Sequence, residues 1–337
     1  MNALKRAAVL YHYPCPDGAF AALAAHLFFS ATSRPAVFFP NTVYDPIRAE
    51  DLPLDEFNEV YLLDFVGPSG FVRDVSCKVE RVVILDHHKT ALEMLGGNSL
   101  GSENVIKVID MKRSGATISY DYFKEKLVED CNKNSDNCVG GFDNGVENNF
   151  VPESKIEKVN RLFKYIEDGD LWRWELPDSK AFSSGLKDLN IEFSVRSNPA
   201  LFEQLLELDP QSVINQGMTS LSQKQKLIDE ALEQSYEIAL GAGLFGHCLA
   251  VNADNISEFR SELGHQLANK SRSIRLRGIG AVVYKVPELE NEQKLKISLR
   301  SVDVEDTTPI SQEYGGGGHR NASSFMLSSD EFERWKV

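Results

Sequence analysis

The chain has 337 residues, a formal charge of −14 and 42% hydrophobic residues. That length exceeds one ordinary core, so two domains are expected. The acidic balance argues against a general duplex-binding surface, which is usually basic, and no apolar run is long enough to span a bilayer.

Residues 1–10 carry no signal-peptide pattern, since Lys5 and Arg6 lead straight into a short strand. The cysteines (Cys15, Cys77, Cys131, Cys138 and Cys248) form no CxxC pair and are odd in number. That favours reduced thiols and an intracellular, cytoplasmic setting.

In chain order, the apolar run Ala7–Tyr11 ends in His12-Tyr-Pro-Cys15-Pro-Asp17-Gly18. Gly18–Phe29, rich in Ala and Leu, reads as a well-packed helix, with His26 a core or groove histidine. Phe38–Tyr44 is a weak strand and Asp51–Asn58 an acidic connector. A second apolar run, Val60–Leu63, ends at Asp64 and is followed by Phe65, Val66, Gly67 and Pro68. Phe71–Glu80 is the expected crossover helix, after which Val82–Leu85 runs without a polar break into Asp86, His87 and His88. Val105–Ile109 is a further strand, and Ser114-Gly115-Ala116 opens an amphipathic helix to about Val128. This alternation predicts an α/β fold with a doubly wound, mainly parallel sheet.

Three buried strands thereby deliver His12, Asp17, Asp64, Asp86, His87 and His88 to one sheet edge. Open α/β sheets bind ligands in the crevice at that edge. Acidic groups so close together repel one another unless cations neutralise them. Carboxylates and imidazoles suit a divalent metal. Glu167–Trp174 adds Asp168 and Asp170 beside Gly169 and two tryptophans, which suggests one more ligand without saying which aspartate.

Cys131–Val151, dominated by Asn, Gly and Asp, reads as a loop insertion. Lys155–Ile166 returns to helix, and Phe182 to about Leu240 reads as helical throughout. A smaller α/β domain then begins near Gly241, with strands Phe245–Asn252, Gly278–Val286 and Lys294–Arg300 and a helix Ser257–Lys270. The expected division is 1–197, a helical connector 198–240, and 241–337. Four glycines precede His319 and Arg320, and they permit an anion-cradling turn. A helix starting at His319 would add free N–H groups to it. Arg300 and Arg320 are candidates for contacts to phosphate or carboxylate.

Taken together, the ordered set His12…Asp17, Asp64, Asp86-His87-His88, Asp168/Asp170 and Gly315–Arg320 resembles the DHH phosphoesterases, and its Gly-rich end is similar to their DHHA1 domain. The resemblance covers nearly the whole chain. It implies a two-metal hydrolase, manganese first with magnesium or cobalt as alternatives, whose active site lies between two domains. It assigns His12, Asp17, Asp64, His87 and one of Asp168 and Asp170 as metal ligands, with Asp64 as the bridge. It puts His88 near the scissile phosphate, with Asp86 orienting a neighbouring ligand. Gly316, Gly317, Gly318, His319, Arg320 and Arg300 would hold substrate phosphate.

One departure stands out. The family's first motif often reads D-x-D-G, and this chain has Cys15-Pro16-Asp17-Gly18. Either Cys15 is a softer thiolate ligand, or one metal is held by fewer protein groups.

The expected activity is hydrolysis of dinucleotides or short single-stranded oligonucleotides to mononucleotides. Duplex nucleic acid and membranes are not expected partners, and the assembly state is open, a homodimer included. The alternatives are a phosphatase on 3′,5′-bisphosphorylated adenosine and a non-catalytic nucleotide-binding regulatory module.

Overall fold

The computed structural model describes residues 6–42, 45–95, 103–134, 150–286, 293–302 and 304–337. Their contacts divide the chain into two compact units, Met1–Ser220 and Leu221–Val337.

The first unit is built on five parallel strands: β1 (Arg6–Tyr13), β2 (Ala36–Thr42), β3 (Phe57–Leu63), β4 (Arg81–Asp86) and β5 (Val105–Ile109). They are ordered β2-β1-β3-β4-β5. Helices α1 (Pro16–Ala31), α2 (Phe71–Ser76), α3 (Lys89–Leu95) and α4 (Gly115–Asn134) lie between or after them in the chain. The central strands are unbroken apolar runs because both faces are covered. On one face, Ala8, Leu10, Leu62, Val82 and Ile84 pack with Phe71, Val72 and Val75 of α2. On the other, the Tyr61 ring meets Phe29 of α1 at 5.7 Å and Phe123 of α4 at 5.2 Å. Each such side chain, fully buried, contributes about 1.5–3 kcal/mol. The chain leaves β1 for β2 on one side and returns to β3 on the other. The strand order therefore reverses between β1 and β3, at the crevice where open sheets of this kind bind ligands.

Helix α5 (Glu153–Asp170) buries Val159, Leu162, Phe163 and Ile166 at helical spacing. Helices α6 (Ser179–Asp188), α7 (Leu201–Glu207) and α8 (Pro210–Glu233) follow, and the boundary between units falls inside α8.

The second unit carries a six-stranded mixed sheet: β6 (Tyr236–Ala239), β7 (His247–Asn252), β8 (Ile279–Lys285), β9 (Lys294–Ser301), β10 (Gly317–His319) and β11 (Ala322–Ser328). Its order is β10-β11-β9-β8-β7-β6, with β7 and β8 parallel. Helix α9 (Arg260–Ser273) packs against it, closely enough that a Cβ on Gly280 would fall 2.5 Å from the Gly264 carbonyl oxygen.

Three expectations need correction. The helical reading to Leu240 is too long. Helix α8 stops at Glu233, and Tyr236–Ala239 pairs antiparallel with β7, an edge pairing that overrides local helical periodicity. No helix starts at His319. Gly317–His319 instead forms a hairpin with Ala322–Ser324. Cys131–Asn134, expected in a loop, form the end of α4. Residues 135–149, with Cys138, lie outside the described residues, as does Tyr44. Among the described residues no helix is long and apolar enough to cross a membrane.

Candidate metal centre

The carboxyl ends of β1, β3 and β4 bring His12, Asp64 and Asp86-His87-His88 together. Behind His12, α1 starts so close to the strand that a Cβ on Gly18 would stand 2.1 Å from the His12 carbonyl oxygen. Glycine at 18 is thus required by the approach of two backbones. Asp64 leaves β3 with a left-handed φ of 64°, uncommon for any residue with a Cβ and best tolerated by Asp and Asn. Its amide donates to the Leu85 carbonyl at 2.8 Å, which fixes the turn to β4.

Asp64 is the hub. It is 1% exposed, with Oδ2 3.0 Å from His12 Nδ1 and Oδ1 3.2 Å from His87 Nε2. His87 Nε2 also lies 3.5 Å from Asp170 Oδ2 and 3.8 Å from Asp17 Oδ2. Three groups of donor atoms, each within 4.8 Å of one another, overlap here: His12, Cys15 and Asp64; Asp64, His87 and His88; Asp17, His87 and Asp170. Asp64 is shared by the first two and His87 by the last two.

The remaining aspartates have other partners. Asp86 Oδ1 accepts the backbone N–H groups of His87 and His88 at 2.7 and 3.1 Å and lies 2.7 Å from His88 Nδ1. It therefore holds the turn and the His88 ring together. Asp168 and Asp170, which the sequence leaves undivided, have different partners. The Asp168 carboxylate accepts the N–H groups of Glu175 and Leu176 at 3.0 and 3.3 Å and belongs to none of the converging groups. Residues two apart on a helix point to opposite faces, so one aspartate turns into the cluster and the other ties down the following loop.

Sequence reading missed the contribution of α4. The N–H groups of Gly115 and Ala116, at its first turn, donate to Asp17 at 2.7 and 3.0 Å. Unsatisfied helix N–H groups and the positive end of the helix dipole thus face a buried carboxylate. Glu167 ties the same turn to α5 by accepting Ser114 N–H at 3.2 Å and the Thr117 hydroxyl. The glycine of Ser114-Gly115-Ala116 was the available signal, but its partner lies 98 residues away in the chain.

The electrostatics are those of a site short of positive charge. Burial, then the negative charges of Asp64 and Asp170, hold the Asp17 carboxyl well above its usual range. Burial would also raise Asp64, but the hydrogen bond from His12 and the imidazoles of His87 and His88 close by keep it below the ordinary value. Asp170 is raised, mainly by burial, against the pull of His87. Burial opposes a proton on His87, yet Asp64, Asp17 and Asp170 raise it from 6.5 to about 9. The hydrogen bond to Asp86 raises His88. Burial, reinforced by Asp64, pushes the Cys15 thiol up to about 12.

Among the described residues, Asp64 Oδ1, His87 Nε2 and Asp170 Oδ2 are buried without a hydrogen-bond partner. The 3.2 Å approach of His87 to Asp64 is not aligned as a hydrogen bond. Three orphaned ligand atoms facing one another, two of them carboxylate oxygens, fit a divalent cation.

A pH test follows. The stabilisation from His87 is complete below its unfolded value of 6.5 and lost as pH rises through about 9. Asp17, raised from 3.8, also costs stability as pH climbs above that value, because the unfolded chain ionises it more readily than the buried site does. Both effects weaken the ion-free protein toward alkaline pH, and a dication would take over from the protons. The gain in Tm on adding manganese should therefore be larger at about pH 8.5 than at about pH 6, with proton release on binding. Calorimetry in two buffers of different ionisation heat measures that release. A gain independent of pH would remove these groups from the metal's surroundings.

The predicted phosphate-binding residues lie in the second unit, at the β10–β11 hairpin. His319 pairs with Ala322 and Ala322 with Arg300, which puts the three in one row across the sheet. Arg300 donates to the Leu299 carbonyl and the Ser261 hydroxyl, each at 2.9 Å, and Arg320 to the Val304 carbonyl at 2.7 Å. The glycines are not equivalent. A Cβ on Gly316 would fall 2.1 Å from the Ser324 carbonyl oxygen, and one on Gly318, whose φ is 143°, would fall 2.5 Å from the Ala322 carbonyl oxygen. Gly317 has open space around it and an ordinary φ. The fold itself does not require a glycine there.

No family model matches the chain. It is 24% identical over 331 residues to an uncharacterized protein, R106, of Acanthamoeba polyphaga mimivirus, covering 95% of this chain and 67% of that one. It is 23% identical over 292 residues to oligoribonuclease NrnB of Bacillus subtilis, covering 86% of this chain and 61% of NrnB. The chain thus spans about two thirds or less of these relatives. Similar solved structures include the pGpG-specific phosphodiesterase PggH of Vibrio cholerae, with TM-score 0.44, 10% identity and coverage of 98% and 96% of the two chains. An exopolyphosphatase-related protein of Bacteroides fragilis gives TM-score 0.40, 14% identity and coverage of 99% and 91%. With the DHH motif at the end of β4, the GGGGH motif on the hairpin, and similarity to the oligoribonuclease over 86% of this chain, the chain resembles the DHH/DHHA1 phosphoesterases.

Proposed function

We propose that the chain is a two-metal phosphodiesterase that cleaves dinucleotides or short single-stranded oligonucleotides to mononucleotides. The observation that carries this reading is the trio of partnerless buried atoms, Asp64 Oδ1, His87 Nε2 and Asp170 Oδ2, at the strand-order reversal. His12, Asp17, Asp64, His87 and Asp170 would hold the cations, with Cys15 completing the His12 side. Two divalent cations bound there would activate a water and neutralise the phosphodiester.

The chain's own groups do the rest. Asp64 keeps both imidazoles turned inward, and the amides of Gly115 and Ala116 hold the Asp17 carboxyl in place beside them. Asp86 takes Nδ1 of His88, which leaves Nε2 of that half-exposed ring to meet the phosphate or the leaving oxygen. The hairpin around Gly317, with Arg300 and His319, would take a neighbouring phosphate. Residues 198–240 would serve as the connector between the two halves of the enzyme. The similarity to oligoribonuclease NrnB supports this substrate class.

The test is release of mononucleotides by purified protein with manganese from 5′-phosphorylated dinucleotides and RNAs of a few residues. Cyclic dinucleotides and 3′,5′-bisphosphorylated adenosine serve as comparison substrates. Turnover of the bisphosphate alone would convert the assignment to a phosphatase, and no metal-dependent turnover of any would remove it.

Gly317 gives a sharper check on the hairpin. Gly317→Ala is expected to leave Tm unchanged while raising KM for dinucleotides, because the new methyl meets only an incoming phosphate. Gly316→Ala should instead lower Tm, since its methyl meets the Ser324 backbone. If Gly317→Ala leaves KM as it was, the hairpin does not bind substrate.

A further inference from the structure

Just past Asp170 the chain displays a tryptophan that the described residues of the first unit leave uncovered. Trp172 is 78% exposed, whereas Trp335 is 1% exposed. Its φ is 54°, and that of Trp174 is 56°. Bulky residues rarely take this left-handed backbone, so the surrounding structure must enforce it. The bonds that do so are visible. Trp172 N–H donates to the Gly169 carbonyl at 3.2 Å and Arg173 N–H to the Asp168 carbonyl at 3.0 Å. The Asp168 carboxylate holds the far side of the loop through Glu175 and Leu176. Trp174 buttresses the exposed indole edge to face, with ring centroids 5.6 Å apart and planes at 80°.

The loop is also fastened to the metal centre. Arg173 donates to Glu167 Oε1 at 3.1 Å and to the Lys112 carbonyl, while the other Glu167 oxygen accepts Ser114 N–H at the start of α4. That same turn holds Asp17. Trp172 is two residues from Asp170, so their Cα atoms are at most about 7.6 Å apart. A nucleoside flanking a phosphate at the metals is within reach of a ring so placed.

We propose that Trp172 is a stacking platform for the nucleobase next to the scissile phosphate, a positioning residue that gives the site its preference for nucleotide substrates. A rigid, exposed indole face suits a planar base, and stacking of this kind tolerates any base because each offers a π face. This explains why a large apolar ring is held in an unfavourable backbone conformation at the rim of an acidic cluster.

The inference rests on the phosphodiesterase reading, and the test separates the two. Tryptophan emission of the full chain is followed while 5′-phosphorylated diadenylate is titrated in, with calcium present and manganese absent so that no product forms. Wild type should be quenched. Trp172→Ala should lose most of the quenching and bind roughly tenfold more weakly, while Trp172→Phe should keep most of the affinity. A dinucleotide analogue lacking the flanking base should bind wild type and Trp172→Ala alike. Unchanged affinity and quenching in Trp172→Ala would overturn the stacking role even where manganese-dependent hydrolysis is intact. Loss of affinity and quenching in a protein that hydrolyses nothing would instead support the platform and overturn the activity.

Discussion

His87→Ala is expected to remove metal-dependent hydrolysis, by more than the roughly 10–100-fold that follows loss of a residue merely supporting a ligand. Its Nε2 lies 3.2, 3.5 and 3.8 Å from oxygens of Asp64, Asp170 and Asp17. The imidazole is therefore both a nitrogen donor and a counter-charge within 3.8 Å of three carboxylates. Without it, the ion-free protein should lose roughly 3–5 kcal/mol, the usual penalty for an uncompensated buried charge. That loss should be largest below about pH 6.5, where the His87 contribution is complete, and shrink as pH rises through about 9. Activity, manganese calorimetry and thermal melts at acid and alkaline pH together read all three effects. An active His87→Ala protein would end the metal assignment. An inactive one with undiminished manganese affinity would move His87 from holding the metal to the chemistry itself.

The sheet was legible because strands covered on both faces must be apolar without interruption, and Val82–Leu85 or Ala7–Tyr11 could hardly be anything else. Their carboxyl ends carried the chemistry for the same reason, since functional groups collect where the strands stop. Asp168 and Asp170 could not be separated from sequence, because the choice depends on the rotational phase of α5 and on the loop that Asp168 caps. The second sheet lost its first strand to the preceding helix, as Tyr-Glu-Ile-Ala continues the helical spacing until β7 offers it hydrogen bonds. The hairpin at Gly317–His319 is not separable from a helix start in the sequence, because glycines before a polar pair fit either. Only the backbone approach at Gly316 and Gly318 decides between them. Long-range amide-to-carboxylate contacts, such as α4 to Asp17, leave no periodic trace in a sequence at all.

That contact is where a single methyl group should do the most damage. A Cβ on Gly115 would fall 2.7 Å from the Asp64 Cβ and 2.9 Å from both Asp17 Oδ2 and Asp64 Oδ1. Neither aspartate can easily retreat. Asp17 is gripped by the two amides of that very turn, and Asp64 is fixed by its left-handed backbone and its bond to Leu85. Gly115→Ala must then push α4 off its anion or spread the two carboxylates. Two effects compete for stability: alanine favours helix by about 1 kcal/mol over glycine, while overpacking in a filled interior costs about 1–3 kcal/mol. With contacts this short on two carboxylates, the clash should prevail and Tm should fall. A displacement near 1 Å should lower kcat by roughly 100-fold, with manganese affinity weakened in parallel. Melts, metal titration and single-turnover rates on one purified variant test this. A higher Tm with unchanged manganese affinity would mean that α4 slides freely and that the amides of its first turn do not set the geometry of the metal centre.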